Sequence, residues 1–187
     1  MELRERIVQA DPTLTVGEIL SPDVAERLAT IAPAVADIFS TRKIRWSDKR
    51  DYWGLSWDLT RAKFIDLGSM RGHHISDRPA YSDVGEDEAE WIVAREAEGR
   101  LLHELGHAVL TAYQGYHPEL YADTQERFHE ACEVEGLPST YGGEDGHEQF
   151  SEALRLWAYD PERFHLEFPM QAAVVEEVLE GAEWGLS

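Results

Sequence analysis

Apolar positions recur at helical spacing in the first 40 residues of the chain. Ser21, Pro22 and Asp23 are typical of a helix start, with serine at the cap and proline in the first turn. An apolar residue then follows every three or four positions, at Val24, Leu28, Ile31, Val35 and Ile38. Pro33 predicts that this run is kinked or divided, because proline lacks the amide hydrogen that a helix interior needs.

The pattern changes between residues 43 and 67, where short apolar runs alternate with Asp, Gly and Arg. This predicts two or three strands, and residues 62–67 are the best candidate. We expect residues 62–67 to form an edge strand along which an extended peptide could align. Addition of a strand to a free sheet edge is a common way to bind such a peptide. Residues 68–88 are rich in Gly, Ser, Asp and Pro and predict a loop.

The second half of the chain predicts helices. The first helix is predicted to start at a cap formed by Asp87 and Glu90 and to end near Gly115. Its apolar stripe lies on the side away from His103 and His107. Further helices are predicted over residues 121–134, from residue 146 to Asp160, and over residues 170–181. The outline is one α+β domain over residues 1–187, with an early mixed sheet, a helical C-terminal half and a helical segment of open role over about residues 1–40. The stripe of the long helix is Ala94, Ala97, Leu101, Leu105, Ala108 and Ala112.

Residues 103–107 read His-Glu-Leu-Gly-His and match the H-E-x-x-H pattern inside the longest predicted helix. Residues four apart share one face of a helix, so His103 and His107 can bind one ion. Glu104 is offset by one position, which places its carboxylate beside a metal-bound water rather than on the metal. The motif therefore predicts a catalytic zinc site with Glu104 as general base.

A catalytic zinc usually has three protein ligands and one open position, so a third ligand must come from elsewhere. Glu148 and Glu152 lie four apart at the start of a later predicted helix, and both qualify. One of them could bind the metal while the other orients a histidine ligand. The residues alone leave this choice open.

The segment YGGEDGHEQFSEALRL, residues 141–156, resembles the catalytic domain of the anthrax lethal factor family of zinc metalloproteases. The resemblance covers roughly residue 90 to the C-terminus and implies a minimal zincin fold. It implies that Glu148 ligates zinc, that Glu152 supports the site and that Tyr141 faces the substrate carbonyl. Ser151 and Leu154 depart from the family's pattern of an alanine and an aromatic residue.

Other candidate residues carry weaker signals. Cys132 follows the motif, whereas the cysteine of H-E-x-x-H deformylases precedes it, so a buried thiol is the better interpretation. His147 adjoins Glu148 and is a candidate for contact with the substrate or with a metal ligand. His73 and His74 lie in a predicted loop and could bind a metal adventitiously. His117, His129 and His165 carry no signal. Tyr141 can also be interpreted from its chemistry alone, because a phenol can donate a hydrogen bond to an oxyanion.

The composition limits the classes of partner and the location that we expect for this protein. The chain has 37 Asp and Glu against 17 Lys and Arg, a net charge of −20, which disfavours nucleic acids and anionic membranes. There is no apolar run of roughly 20 residues and no secretory signal, and Cys132 is the only cysteine, so we expect a cytoplasmic protein or one secreted by a machine that needs no signal peptide. The charge either aids solubility or steers a basic substrate; the acidic residues nearest the expected cleft are Asp58, Asp66, Glu86, Asp87 and Glu88.

These patterns together predict a zinc-dependent metalloendopeptidase that acts on a protein or peptide. Two alternatives remain open at this stage. One is a zinc-containing regulatory or structural binding module without turnover, and the other is a metal-dependent amide hydrolase for a small molecule. An intact Glu104 argues against the first, because a purely structural site needs no base.

Overall fold

Helices make up most of the chain in the computed structural model, which describes residues 1–47, 54–55, 64–68, 89–139 and 145–187. The elements, in order, are α1 (Leu3–Val8), α2 (Val16–Ile19), α3 (Pro22–Ile31), α4 (Pro33–Ser40), β1 (Lys43–Ser47), β2 (Gly54–Leu55), β3 (Phe64–Gly68), α5 (Ala89–Tyr116), α6 (Pro118–Glu135), α7 (Gly146–Tyr159), α8 (Pro161–Glu167) and α9 (Pro169–Leu186).

Proline begins α3, α4, α6, α8 and α9, since its ring suits the first turn of a helix, where no amide hydrogen is needed. The expected division at Pro33 is confirmed. Pro161 both follows the end of α7 and starts α8, a helix that the sequence analysis did not predict. Helix α9 is longer than expected because it begins at Pro169 and continues to Leu186.

The strands are short, and β3 lies between the other two. It pairs with β1 in parallel and with β2 antiparallel, and the pairing with β2 covers Asp66 and Leu67. The expectation that residues 62–67 form a free edge strand is therefore wrong. Ile65 and Leu67 lie two residues apart on one face of β3 and are both buried, so this face packs against the core.

Helix α5 is the central helix of the described chain and packs against α1, α6, α7 and α9. It buries more than the one stripe that periodicity predicted, because Leu102, Val109, Leu110 and Tyr113 are buried as well. Helix α7 packs along the face of α5 that carries the histidines. Only 14% of the His103 side chain and 23% of the His107 side chain are exposed.

The N-terminal helices belong to the same core as α5. The Glu98 side chain, buried on α5, accepts hydrogen bonds from Ser21 N and Ser21 Oγ at 2.5 and 2.7 Å. A residue distant in sequence therefore binds the start of α3. Glu183 on α9 does the same for α4, through the amides of Ala34 and Val35. Arg27 donates to the carbonyl of Ala158 at the end of α7. Among the described helices, none is long and apolar enough to cross a bilayer.

Candidate metal centre

Helix α5 brings the two histidines of the H-E-x-x-H motif to one point. Their positions, four residues apart, place both rings on the face that meets α7. The two Nε2 atoms lie 3.1 Å from each other, with the rings nearly perpendicular. This arrangement allows both nitrogen lone pairs to be directed at a single ion.

Helix α7 supplies the third group, the carboxylate of Glu148. Its Oε2 lies 3.0 Å from His103 Nε2, and its Oε1 lies 3.5 Å from His107 Nε2. Ligand atoms at the usual zinc distances of about 2.0–2.1 Å in tetrahedral geometry are separated by about 3.3 Å. The separations of 3.0 and 3.1 Å, from His103 Nε2 to Glu148 Oε2 and to His107 Nε2, are close to that value, and His107 Nε2 lies 3.5 Å from the other oxygen of Glu148. His103, His107 and Glu148 can therefore hold a metal ion.

The local environment of Glu148 agrees with a ligand role. Its Oε2 is buried, and His103 Nε2 lies 3.0 Å away without hydrogen-bond geometry. A buried carboxylate needs a compensating positive charge, which a cation bound at this point would supply. The imidazoles of His103 and His107 hold the pKa of the Glu148 carboxyl well below its usual range, which keeps it ionised and able to bind a metal.

Glu152, one turn further along α7, contacts the other nitrogen of His103. His103 Nδ1 donates to Glu152 Oε1 at 2.8 Å, which leaves the Nε2 lone pair for a metal. Burial alone would lower the pKa of His103, but the carboxylates of Glu148 and Glu152 raise it to about 9. Burial would raise the pKa of Glu152, but His103 and Arg155 hold it below its usual value.

A close contact between two helices sets how near Glu148 comes to the histidines. Gly106 lies inside the motif and faces Ser151 on α7: a Cβ at this position would be 2.5 Å from Ser151 Cα and 2.9 Å from its Oγ. Only glycine permits this approach. Gly106 is an unspecified position of the H-E-x-x-H pattern, and no local pattern marks it as a contact point.

Asp145 fixes the first turn of α7, in which Glu148 lies. Its Oδ1 accepts hydrogen bonds from His147 N and Glu148 N, at 2.9 and 3.0 Å, and so caps the helix. An acidic N-cap with Glu three residues later resembles the capping box and is a sequence signal for this helix start. In this structure the Glu148 side chain is directed at the histidines instead.

The structure describes one of the two catalytic candidates, Glu104, and does not describe the other, Tyr141. Glu104 on α5 is only 5% exposed, and its charge contributes to the raised pKa of His103, so the carboxylate lies near the metal-binding group. Tyr141 lies outside the described residues, and its role stays a prediction.

The remaining candidates lie elsewhere. Cys132 is buried on α6, where burial raises the pKa of its thiol to about 12, and it is not part of the converging group found among the described residues. The His147 ring is 2.9 Å from the Tyr121 hydroxyl. His73 and His74 lie outside the described residues. The other histidines contact protein groups away from the centre: His117 with the Gly181 carbonyl, His129 with Glu133, and His165 with Glu176.

Comparison of the chain with protein-family models, with curated proteins and with solved structures gives no significant match. The likeness to an H-E-x-x-H plus Glu metal site therefore rests on the geometry of three side chains, those of His103, His107 and Glu148.

Proposed function

We propose that this protein is a zinc-dependent metallopeptidase. The observation that carries the proposal is the convergence of His103 Nε2, His107 Nε2 and the Glu148 carboxylate, with Glu104 next to the first histidine. Two imidazoles and one carboxylate are the donor set of many catalytic zinc sites that keep a fourth position open. Zinc bound there would supply a Lewis acid and lower the pKa of a bound water.

The residues of the chain have distinct roles in this proposal. Glu104 accepts the proton of the attacking water and passes it to the leaving amine. Tyr141 donates a hydrogen bond to the oxyanion that forms from the substrate carbonyl. Glu152 holds His103 in the orientation and tautomer that a metal ligand needs. The resemblance of residues 141–156 to the lethal factor family supports these roles and the assignment of a minimal zincin fold within an α+β class.

The substrate proposed here is an internal peptide bond of a protein or peptide. β3 lies between two other strands, so it is not the free edge to which the peptide was expected to add. A zinc-binding module without turnover and a small-molecule amide hydrolase are the competing outcomes of the test below.

The test combines metal analysis with digestion of a peptide library. We expect about one zinc per chain, with peptide cleavage that a chelator abolishes and zinc restores. Glu104→Gln is expected to retain zinc and the fold while losing nearly all cleavage, because the base is not a ligand. Glu130→Gln, an exposed change on α6, is the matched control.

The outcomes separate the candidates. Zinc binding without cleavage of any peptide would favour the binding module, and a fully active Glu104→Gln variant would exclude the proposed mechanism. In the same assay Tyr141→Phe should bind zinc normally while turnover falls by roughly 100-fold, the loss typical of one oxyanion donor. An unchanged turnover would remove Tyr141 from the mechanism.

A further inference from the structure

The Glu152 carboxylate is engaged on both oxygens. Oε1 accepts from His103 Nδ1 at 2.8 Å, and Oε2 accepts from both Ser139 Oγ and Arg155 Nη2 at 2.5 Å. The three partners come from three parts of the chain: α5, the segment after α6, and α7 itself. A carboxylate bound in this way cannot rotate without breaking at least one of these contacts.

Burial makes these contacts strong and costly to lose. The side chain of Glu152 is 4% exposed and that of Arg155 is 12% exposed. A charge removed from water needs a partner charge and hydrogen bonds, and removal of one partner leaves the other uncompensated. Ser139 is itself buried, at 2% exposure, so solvent cannot readily replace its hydroxyl.

We propose that Ser139 and Arg155 are positioning residues of the metal centre, which hold the Glu152 carboxylate so that it fixes the ring of His103. The inference rests on the proposed metal centre and extends it to two residues that bind neither metal nor substrate. Groups that orient a metal-bound histidine through its second nitrogen typically change metal affinity about 10- to 100-fold when they are removed. Ser139 and Arg155 act one step further out, through Glu152.

The experiment measures zinc affinity of the full chain by competition with a chelating dye, and the absorption spectrum of the Co²⁺-loaded protein. Ser139→Ala and Arg155→Met should each weaken zinc binding by about tenfold and alter the Co²⁺ spectrum. Ser139→Thr and Arg155→Lys retain a hydroxyl and a charge, and they should recover part of the affinity. Arg163→Met, a change of a more exposed arginine on α8, should have no effect.

A double-mutant cycle separates positioning from a general loss of structure. If Ser139 acts through Glu152, then Ser139→Ala should have almost no further effect on zinc affinity in a Glu152→Ala background. Thermal unfolding of each metal-free variant is recorded in parallel. If Arg155→Met does not fold, Ser139→Ala and its double-mutant cycle with Glu152→Ala still test the proposal.

The outcomes distinguish this inference from the proposed function. Unchanged zinc affinity in Ser139→Ala, or a full Ser139→Ala effect in the Glu152→Ala background, would overturn the positioning role alone. A wild-type protein that binds zinc without cleaving peptides would contradict the proposed peptidase function. The positioning role would then still be tested by the zinc affinities of the variants. A wild-type protein that binds no zinc would overturn both.

Discussion

The imidazole of His103 is contacted at both of its ring nitrogens by carboxylates from the same helix. Nε2 faces Glu148 and Nδ1 donates to Glu152, two residues that lie one helical turn apart on α7. In the proposed metal centre the first contact would supply a ligand and the second would set the tautomer, so the two acidic residues would have different chemical tasks.

Removal of Glu148 should have a larger effect on metal binding than removal of any other carboxylate. We expect Glu148→Ala to weaken zinc binding by at least 100-fold, because a ligand is lost, while Glu152→Ala weakens it by about 10- to 100-fold. Cys132→Ala is the control and should leave affinity unchanged, since Cys132 lies outside the converging group. Competition titrations would contradict the ligand assignment if Glu152→Ala or Cys132→Ala were the more damaging change.

Zinc affinity should rise with pH up to about 9, the value to which the two carboxylates raise the pKa of His103. Below that pH the ring carries a proton that a metal must displace, so affinity should increase about tenfold per pH unit between pH 7 and 8. Above that pH the zinc affinity should no longer change with the protonation of His103. Glu152→Gln should lower the pKa of His103 and move this plateau to lower pH. Titrations in buffered metal would refute the prediction if affinity were constant from pH 7 to 9.

At the scale of elements, α5 and α7 form one antiparallel pair whose contacts create the site. Later residues of α5 contact earlier residues of α7. A change in the distance between the two helices therefore moves both glutamates relative to both histidines. The close contact of Gly106 with Ser151 sets this distance. The pairs in order are Gly99 with Tyr159, His103 with Glu152, Gly106 with Ser151, and His107 with Glu148.

Gly106→Ala should therefore weaken zinc binding even though it changes no ligand. The added methyl would meet the α7 backbone at 2.5 Å, so α7 must move away, with a loss of about 1–3 kcal/mol of stability. We expect at least a tenfold loss of zinc affinity. Gly115→Ala on the same helix has open space around it and should stabilise the protein slightly, because alanine is the better helix former. Equal zinc affinities and equal unfolding midpoints for the two variants would contradict this interpretation.

At the scale of the whole molecule, the N-terminal helices share the core with the helices of the site. Leu28 on α3 and Phe39 on α4 are buried in the same cluster as Leu101 and Phe150. The segment of open role over residues 1–40 is thus part of the scaffold.

Leu28→Ala should destabilise the entire protein by about 2–5 kcal/mol, because it leaves a cavity in that core. Leu166→Ala is the matched control: Leu166 is 82% exposed, and its loss should change stability by less than about 0.5 kcal/mol. Chemical denaturation followed by fluorescence measures both. If residues 1–40 were an independent segment, the main unfolding transition would be the same in Leu28→Ala and in the wild type.

The net charge of −20 leads to a prediction about substrates. Peptides with basic residues near the scissile bond should be cleaved faster than matched acidic ones, since an acidic surface concentrates cationic peptides. The advantage should shrink as salt rises, because charges beyond about 8 Å are screened at physiological ionic strength. The side chains of Asp58, Asp66 and residues 86–88 lie outside the described part of the chain, so this remains a prediction from sequence. Equal rates for Lys- and Glu-flanked peptides, or a preference that salt does not change, would refute steering.

Local sequence determined those features that depend on neighbours along the chain. The spacing of His103 and His107 places them on one helical face, and Pro33 separates two helices, because both effects act within a few residues. Tertiary structure decided the features that depend on distant segments: the different contacts of Glu148 and Glu152, the burial of the histidine face, and the central position of β3. Periodicity states which residues share a face but not which helix covers that face. That choice is made by packing between segments more than 40 residues apart, as in the contact of Gly106 with Ser151.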